Sequence, residues 1–205
     1  DKLFLPANNL DQLQKYIGNE GDVPRIHKMG GRDWAKVVTK AKKSIDDLAD
    51  KLVELYAQRE ITEGFAFLPD QPWQQEFEDA FPYEETEDQL QATAEIKASM
   101  EKPVPMDRLL AGDVGFGKTE VAMRAIFKAV MSGKQVAVLV PTTVLAQQHF
   151  QTFWDRFAPF GVKVDVLNRF RSTSEKKQVL KGVEDGSIDV LIGTHSLLNK
   201  KVVFK

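Results

Sequence analysis

Gly112-Asp113-Val114-Gly115-Phe116-Gly117-Lys118-Thr119 is the stretch on which the reading of this 205-residue chain turns. It fills every position of the pattern G-x-x-x-x-G-K-[ST]. The apolar run RLLAG (108–112) leads into it, and a helical pattern over 117–132 leads out. Strand, glycine-rich loop and helix N-terminus in that order make a cradle for phosphate. The glycines let the backbone curl until successive N–H groups face phosphate oxygens, and the helix N-terminus adds partial positive charge. Lys118 supplies a point charge to the β- and γ-phosphates, and the Thr119 hydroxyl completes the shell of a Mg²⁺ ion. The expected nucleotide-binding run is therefore Gly112, Asp113, Val114, Gly115, Phe116, Gly117, Lys118, Thr119 and Glu120. Within it Lys118 and Thr119 are the catalytic pair, and Thr119 is the metal ligand. A glycine-rich turn with an incidental lysine is the plain alternative, and the strand–loop–helix setting argues against it.

Downstream, apolar runs alternate with helical patterns. QVAVLVP (135–141), VKVDVL (162–167) and IDVLIG (188–193) join RLLAG as four expected strands, with helices over 117–132, 143–157 and 173–185. That rhythm specifies an α/β fold with a parallel sheet. In such sheets ligands bind at the C-terminal ends of the strands. Three loops fall there: PTTVLAQQHF (141–150), NRFRS (168–172) and GTHSLL (193–198). Pro141, Thr142, Thr143, Gln147, Arg169, Arg171, Thr194 and His195 are the candidates for a nucleic-acid backbone track, which needs charge and N–H groups but no base readout. For each loop, capping and turn chemistry is the bland alternative.

Upstream, KLFLP (2–6) alternates like the end of a strand, which implies a small β-domain beginning before Asp1. Leu10, Leu13 and Ile17 are spaced as a short apolar segment, and 18–31 reads as a loop. Asp33 is placed to cap a long helix reaching about Glu60, with Trp34, Val38, Ala41, Ile45, Leu48, Leu52 and Leu55 on one stripe. That stripe is expected to pack along a neighbour. WQQEFEDAF (73–81) gives a short helix among prolines. Thr86-Glu87-Asp88-Gln89 is a capping box opening a helix through Met100. Trp73, Trp154 and His149 read as packing residues, and the acidic run at 84–88 as a favourable charge at a helix N-terminus.

Composition narrows the function classes. The chain has no cysteine and three histidines far apart, so thiolate and histidine metal sites are not expected. No apolar run is long enough for a membrane span. Residues 1–100 carry 12 Lys and Arg against 20 Asp and Glu, whereas residues 101–205 carry 16 against 10. A basic second half suits a polyanionic ligand, or is merely solvated surface.

PTTVLAQQ and GTHSLL resemble motifs Ia and Ic of superfamily-two helicases and translocases, with the glycine-rich loop as their motif I. IHKMGGRDW (26–34), LYAQRE (55–60), GFAF (64–67), FPYEETEDQ (81–89), GDVGFGKTEVAMRA (112–125) and VAVLVPTTVLAQQH (136–149) together resemble the bacterial transcription-repair coupling factors. The resemblance implies ATP and Mg²⁺ as cofactors and a RecA-like lobe over 81–205. It implies a linker helix over 32–80, and over 1–31 the end of a β-domain that grips the RNA polymerase β subunit. It further implies tracking on double-stranded DNA, displacement of stalled polymerase, recruitment of excision-repair proteins, a cytoplasmic place and no membrane partner. Gln89 resembles the glutamine such enzymes set on adenine, since a carboxamide donates to and accepts from the base edge at once. Phe81 either stacks on that base or is a plain core aromatic.

The sequence also departs from the pattern. These motors hold Mg²⁺ with a strand ending in an acidic pair, and no strand expected here ends so; Val202-Val203-Phe204-Lys205 looks like the approach to it. The chain is expected to be part of a larger protein and, alone, to bind nucleotide without turnover. A RecG-like repair helicase and a non-enzymatic docking segment are the alternatives.

Overall fold

Each strand after the glycine-rich loop is only four residues long, and all three are parallel. The computed structural model describes Pro6 and residues 32–205. The expected strand at 2–6 (Pro6 apart), the segment of Leu10, Leu13 and Ile17, the loop at 18–31 and the β-domain they imply lie outside the described residues. The chain divides into two compact units, Asp1–Tyr56 and Ala57–Lys205.

Helix α1 (Arg32–Ile61) runs through the first unit and supplies the first residues of the second. It starts one residue before Asp33, which therefore lies in its first turn and is not its N-cap. On the stripe expected to pack along a neighbour, Val38 is half-buried, whereas Ile45, Leu48, Leu52 and Leu55 are 46–65% exposed.

The second unit continues with α2 (Pro72–Asp79), α3 (Glu87–Met100) and α4 (Lys118–Met131), then alternates β1 (Val136–Leu139), α5 (Thr143–Phe157), β2 (Val164–Leu167), α6 (Thr173–Glu184) and β3 (Val190–Gly193). Short 3₁₀ turns follow α5 (Ala158–Phe160) and β3 (His195–Leu198). The sheet order is β1-β3-β2, with Val190 opposite both Val136 and Val164. Being central, β3 is buried at all four positions. The parallel α/β sheet is thus as the alternation of runs implied, with one correction. RLLAG does not form a fourth strand: residues 107–113 are irregular and Leu109 is 90% exposed. An apolar run reports burial, but a strand needs a partner edge, and this segment pairs with none among the described residues. Only Leu110 packs inward, against the cluster of Ile96, Met100, Val121 and Ala129.

The main core is aromatic. The Phe77 ring stacks on Phe127 at 4.3 Å and on Phe157 at 5.3 Å. This seats α2 against α4 and α5. Helix α3 seats on α4 through Ile96, Met100 and Val121. The face of α4 between these helices is charged: Glu120, Arg124 and Lys128, four residues apart, are all buried. Each has partners. Lys128 Nζ donates to Asp70 (2.8 Å), Glu101 (2.7 Å) and the Leu68 carbonyl (2.7 Å). Trp73 and Trp154, expected to pack, are about half exposed.

Candidate functional site

The glycine-rich loop ends at Gly117, the N-cap of α4, whose φ of +69° lies in the left-handed region; Gly115 sits at +88°. These two reversals curl the loop over the helix N-terminus. The amides of Gly115, Gly117, Lys118 and Thr119 donate to no acceptor among the described residues. Unpaired N–H groups at a helix N-terminus are an anion site. Lys118 folds back over it: Nζ donates to the carbonyls of Gly112 and Asp113, both at 2.6 Å. Thr119 follows in the first turn, half-buried. Val114 and Phe116 stand out in solvent.

Gln89 reaches the same loop from α3. Thr86 and Gln89 form the capping box expected from sequence, the Thr86 amide donating to Gln89 Oε1 at 3.0 Å and the Gln89 amide to Thr86 Oγ1 at 3.3 Å. The other end of the carboxamide, Nε2, donates to the Phe116 carbonyl at 3.1 Å. A cavity of about 200 Å³ opens here, lined by Thr86, Asp88, Gln89, Ala92, Leu110, Ala111, Gly112, Phe116, Lys118 and Val121. Gln89 and the loop are thus brought together, as their proposed shared role requires.

Two other candidates lie elsewhere. The Phe81 ring is absent from that cavity's lining; the Arg124 guanidinium lies 5.4 Å from its centroid and Tyr83 packs on it edge-on. The Glu120 carboxylate is engaged by Arg124 Nε (3.1 Å) and by Arg156 Nη2 (2.9 Å) and Nε (3.3 Å). Its amide donates to the Gly117 carbonyl. Both ends of Glu120 are thus engaged within the protein.

The strand-end loops converge on one edge. Pro141, Thr142, Thr143, Val144, Arg169, Thr194 and His195 line a shallow groove of about 280 Å³. At Thr143, Arg169, Thr194 and His195 it runs into a larger cavity of about 470 Å³, reached also by Asn168, Lys176, Asn199 and Lys201. Thr142 caps α5 by accepting from the Leu145 amide at 3.2 Å. Two candidates serve the fold there. Arg171 donates to Asp165 at 2.6 Å and pairs with Glu175, and Gln147 Oε1 accepts from Asn168 at 3.2 Å.

A family model described as DEAD/DEAH box helicase matches residues 86–204, from the capping residue of α3 almost to the last residue. The chain belongs to that family. Among its helicase relatives, the transcription-repair-coupling factor of Bacillus subtilis is 54% identical over all 205 residues, which are 17% of that protein. The factor of Mycobacterium bovis is also 54% identical over the whole chain, 16% of its own length, and that of Staphylococcus haemolyticus 50%, with 18% covered. The chain thus spans about a sixth of these relatives. The structure of RecG bound to a three-way DNA junction matches with a TM-score of 0.70 and 38% identity, over 74% of this chain and 21% of that one. With these matches the sheet of the second unit is a RecA-like helicase lobe.

Some residues of this helicase lobe were not singled out by sequence reasoning. Arg124 and Lys128 sit inside the pattern of α4, where charge at every fourth position ordinarily marks a solvent face. Lys176 and Lys201 lay outside the motifs. Three acidic segments nearby, around 70, 85 and 101, were the available signal that a buried basic stripe had partners. No group of three His, Cys, Asp or Glu is gathered for a metal among the described residues, and no helix there is long and apolar enough to cross a membrane.

Proposed function

We propose that the second unit binds ATP with Mg²⁺ on the loop from Gly112 to Thr119 and lays the backbone of double-stranded DNA along the groove of Arg169, Thr194 and His195. It does so as part of an ATP-driven translocase that displaces stalled RNA polymerase and admits excision-repair proteins. The observation that carries the reading is the cradle itself: unpaired amides at the N-terminus of α4, with Lys118 above them and the Gln89 carboxamide beside them. The donor set fits the nucleotide. Lys118 leaves two neutral carbonyls for the charged β- and γ-phosphates, and the amides hold the oxygens in fixed geometry. Thr119 fits Mg²⁺, an ion that takes few protein ligands beside phosphate oxygens and water; when bound it neutralises charge developing on the phosphates. Gln89 reads adenine by turning an N–H of Nε2 toward the base.

Identity over the whole chain supports the coupling-factor reading over the RecG-like one, which extends over 74%. Contact with the polymerase β subunit belongs, in this reading, to the β-domain ending at 1–31, and 32–80 serves as linker. For the 205-residue chain alone the proposal is nucleotide binding without turnover, because no strand among the described residues ends in an acidic pair. The test is titration with a fluorescent ATP analogue alongside steady-state phosphate release, with and without duplex DNA. Binding that Lys118→Ala removes is expected, with no release above background. Unchanged binding in Lys118→Ala would refute the site. DNA-stimulated release that Lys118→Ala abolishes would show that a complete catalytic site lies within these residues.

A further inference from the structure

The segment that presents Gln89 is irregular. Residues 80–86 join α2 to α3 without regular structure, and Thr86 at its end caps the helix on which Gln89 sits. Two links tie it to the phosphate-binding elements. One is the Gln89 Nε2 bond to the Phe116 carbonyl. The other lies about two turns of α4 beyond the loop. Arg124, 2% exposed, donates through Nη2 to Glu85 at 3.0 Å and covers the face of Phe81. Its own orientation is fixed from behind, because Nε donates to Glu120 and Arg156 grips the same carboxylate. Arg156 also donates to the Phe77 carbonyl at 2.6 Å, which anchors the network to α2.

The two links are not equivalent once nucleotide binds. A carboxamide that turns an N–H toward a base edge loosens its hold on the Phe116 carbonyl, so the first link weakens as reading begins. The second remains. Resting on the adenine reading of Gln89, we propose that Arg124 is a positioning residue for base selection: it clamps Glu85 and Phe81 so that Gln89 stays aimed at adenine as its hold on the loop weakens. Arg124 touches no nucleotide in this arrangement. The planar guanidinium matters because Nε and Nη2 hold Glu120 and Glu85 in the fixed directions of a rigid fork, whereas an ammonium on a flexible stem sets no such angle between its partners.

The test uses the full chain and three probes: ATP, GTP and inorganic tripolyphosphate, each measured by competition against a fluorescent nucleotide. Glu85→Ala is the principal variant, since Glu85 is only partly buried and its loss leaves the Glu120–Arg156 pair intact. Arg124→Lys and Arg124→Met are the companions. Glu85→Ala and Arg124→Lys should each lower ATP affinity about tenfold, the worth of one or two hydrogen bonds. GTP and tripolyphosphate affinities should stay unchanged, because the cradle does not depend on the clamp. Gln89→Ala should produce the same selective loss, and adding Glu85→Ala to it should produce little more. Equal weakening of all three probes would overturn the proposal, since that is the mark of a merely structural network. Unchanged ATP affinity in Glu85→Ala would overturn it too, while leaving Gln89 as reader if Gln89→Ala alone loses selectivity. No preference for ATP over GTP in the unaltered chain would refute the adenine reader and the clamp together.

Discussion

Gly117 shows how one residue governs the loop. Its φ of +69° excludes most side chains, and a Cβ built there would collide with Gln89 Nε2. Gly115, at +88°, has open space where its Cβ would stand. Gly115→Ala and Gly117→Ala should therefore both lose about 1–2 kcal/mol to left-handed strain, measurable by urea unfolding. Only Gly117→Ala should also crowd the Gln89 carboxamide and lower ATP affinity by a further factor of about ten, the loss expected of Gln89→Ala. ATP affinity in Gly117→Ala equal to that in Gly115→Ala would show that crowding of Gln89 is immaterial. At this scale the sequence was highly legible. A glycine pattern is written in covalent spacing, and a capping box needs only four consecutive residues. The Gln89–Phe116 bond, 27 residues apart, was not, because it depends on where α3 packs.

Among the elements, α4 joins the phosphate loop to the rest of the lobe through its buried charges. Burial pushes the Asp70 carboxyl up, but hydrogen bonds from Lys128 and Lys97 outweigh this and hold it below its ordinary value of 3.8. A carboxyl depressed in the folded state stabilises the fold above its unfolded value, and that stability is lost as pH falls through the folded one. Asp70→Asn should therefore cost about 1–2 kcal/mol at pH 7, a figure reduced for the 38% exposure of the Asp70 side chain. Chemical denaturation at several pH values checks this. The gap between variant and parent should narrow below pH 3.8; a gap constant down to pH 2 would assign it to something other than the charge. Helices α2 to α6 were legible because period and caps are local signals. The absent strand at 108–112 and the exposure of Ile45, Leu48, Leu52 and Leu55 on α1 were not, because both depend on what lies alongside, and an apolar pattern names no partner.

For the lobe as a whole, the strand-end groove separates cations that are available from cations that are spent. Arg169 lines both of its cavities, whereas Arg171 is tied to Asp165 and Glu175. If duplex DNA lies there, Arg169→Ala should lower the slope of log affinity against log salt by about 1, and Arg171→Ala should leave that slope alone. Fluorescence anisotropy with a labelled duplex, over a range of salt, measures both. Equal slopes in parent and Arg169→Ala would remove this groove from the track. The strand order carries a consequence of a different kind, for the chain as it is being made. The central strand is the last of the three to be synthesised: β1 waits for β3 across the 54 residues from Val136 to Val190. At roughly 5–20 residues per second, that delay is about 3–10 s. Until Gly193 has cleared the ribosome, neither β1 nor β2 has its sheet neighbour, and any ribosome stall between 167 and 190 leaves two apolar strands waiting for a template that has not arrived.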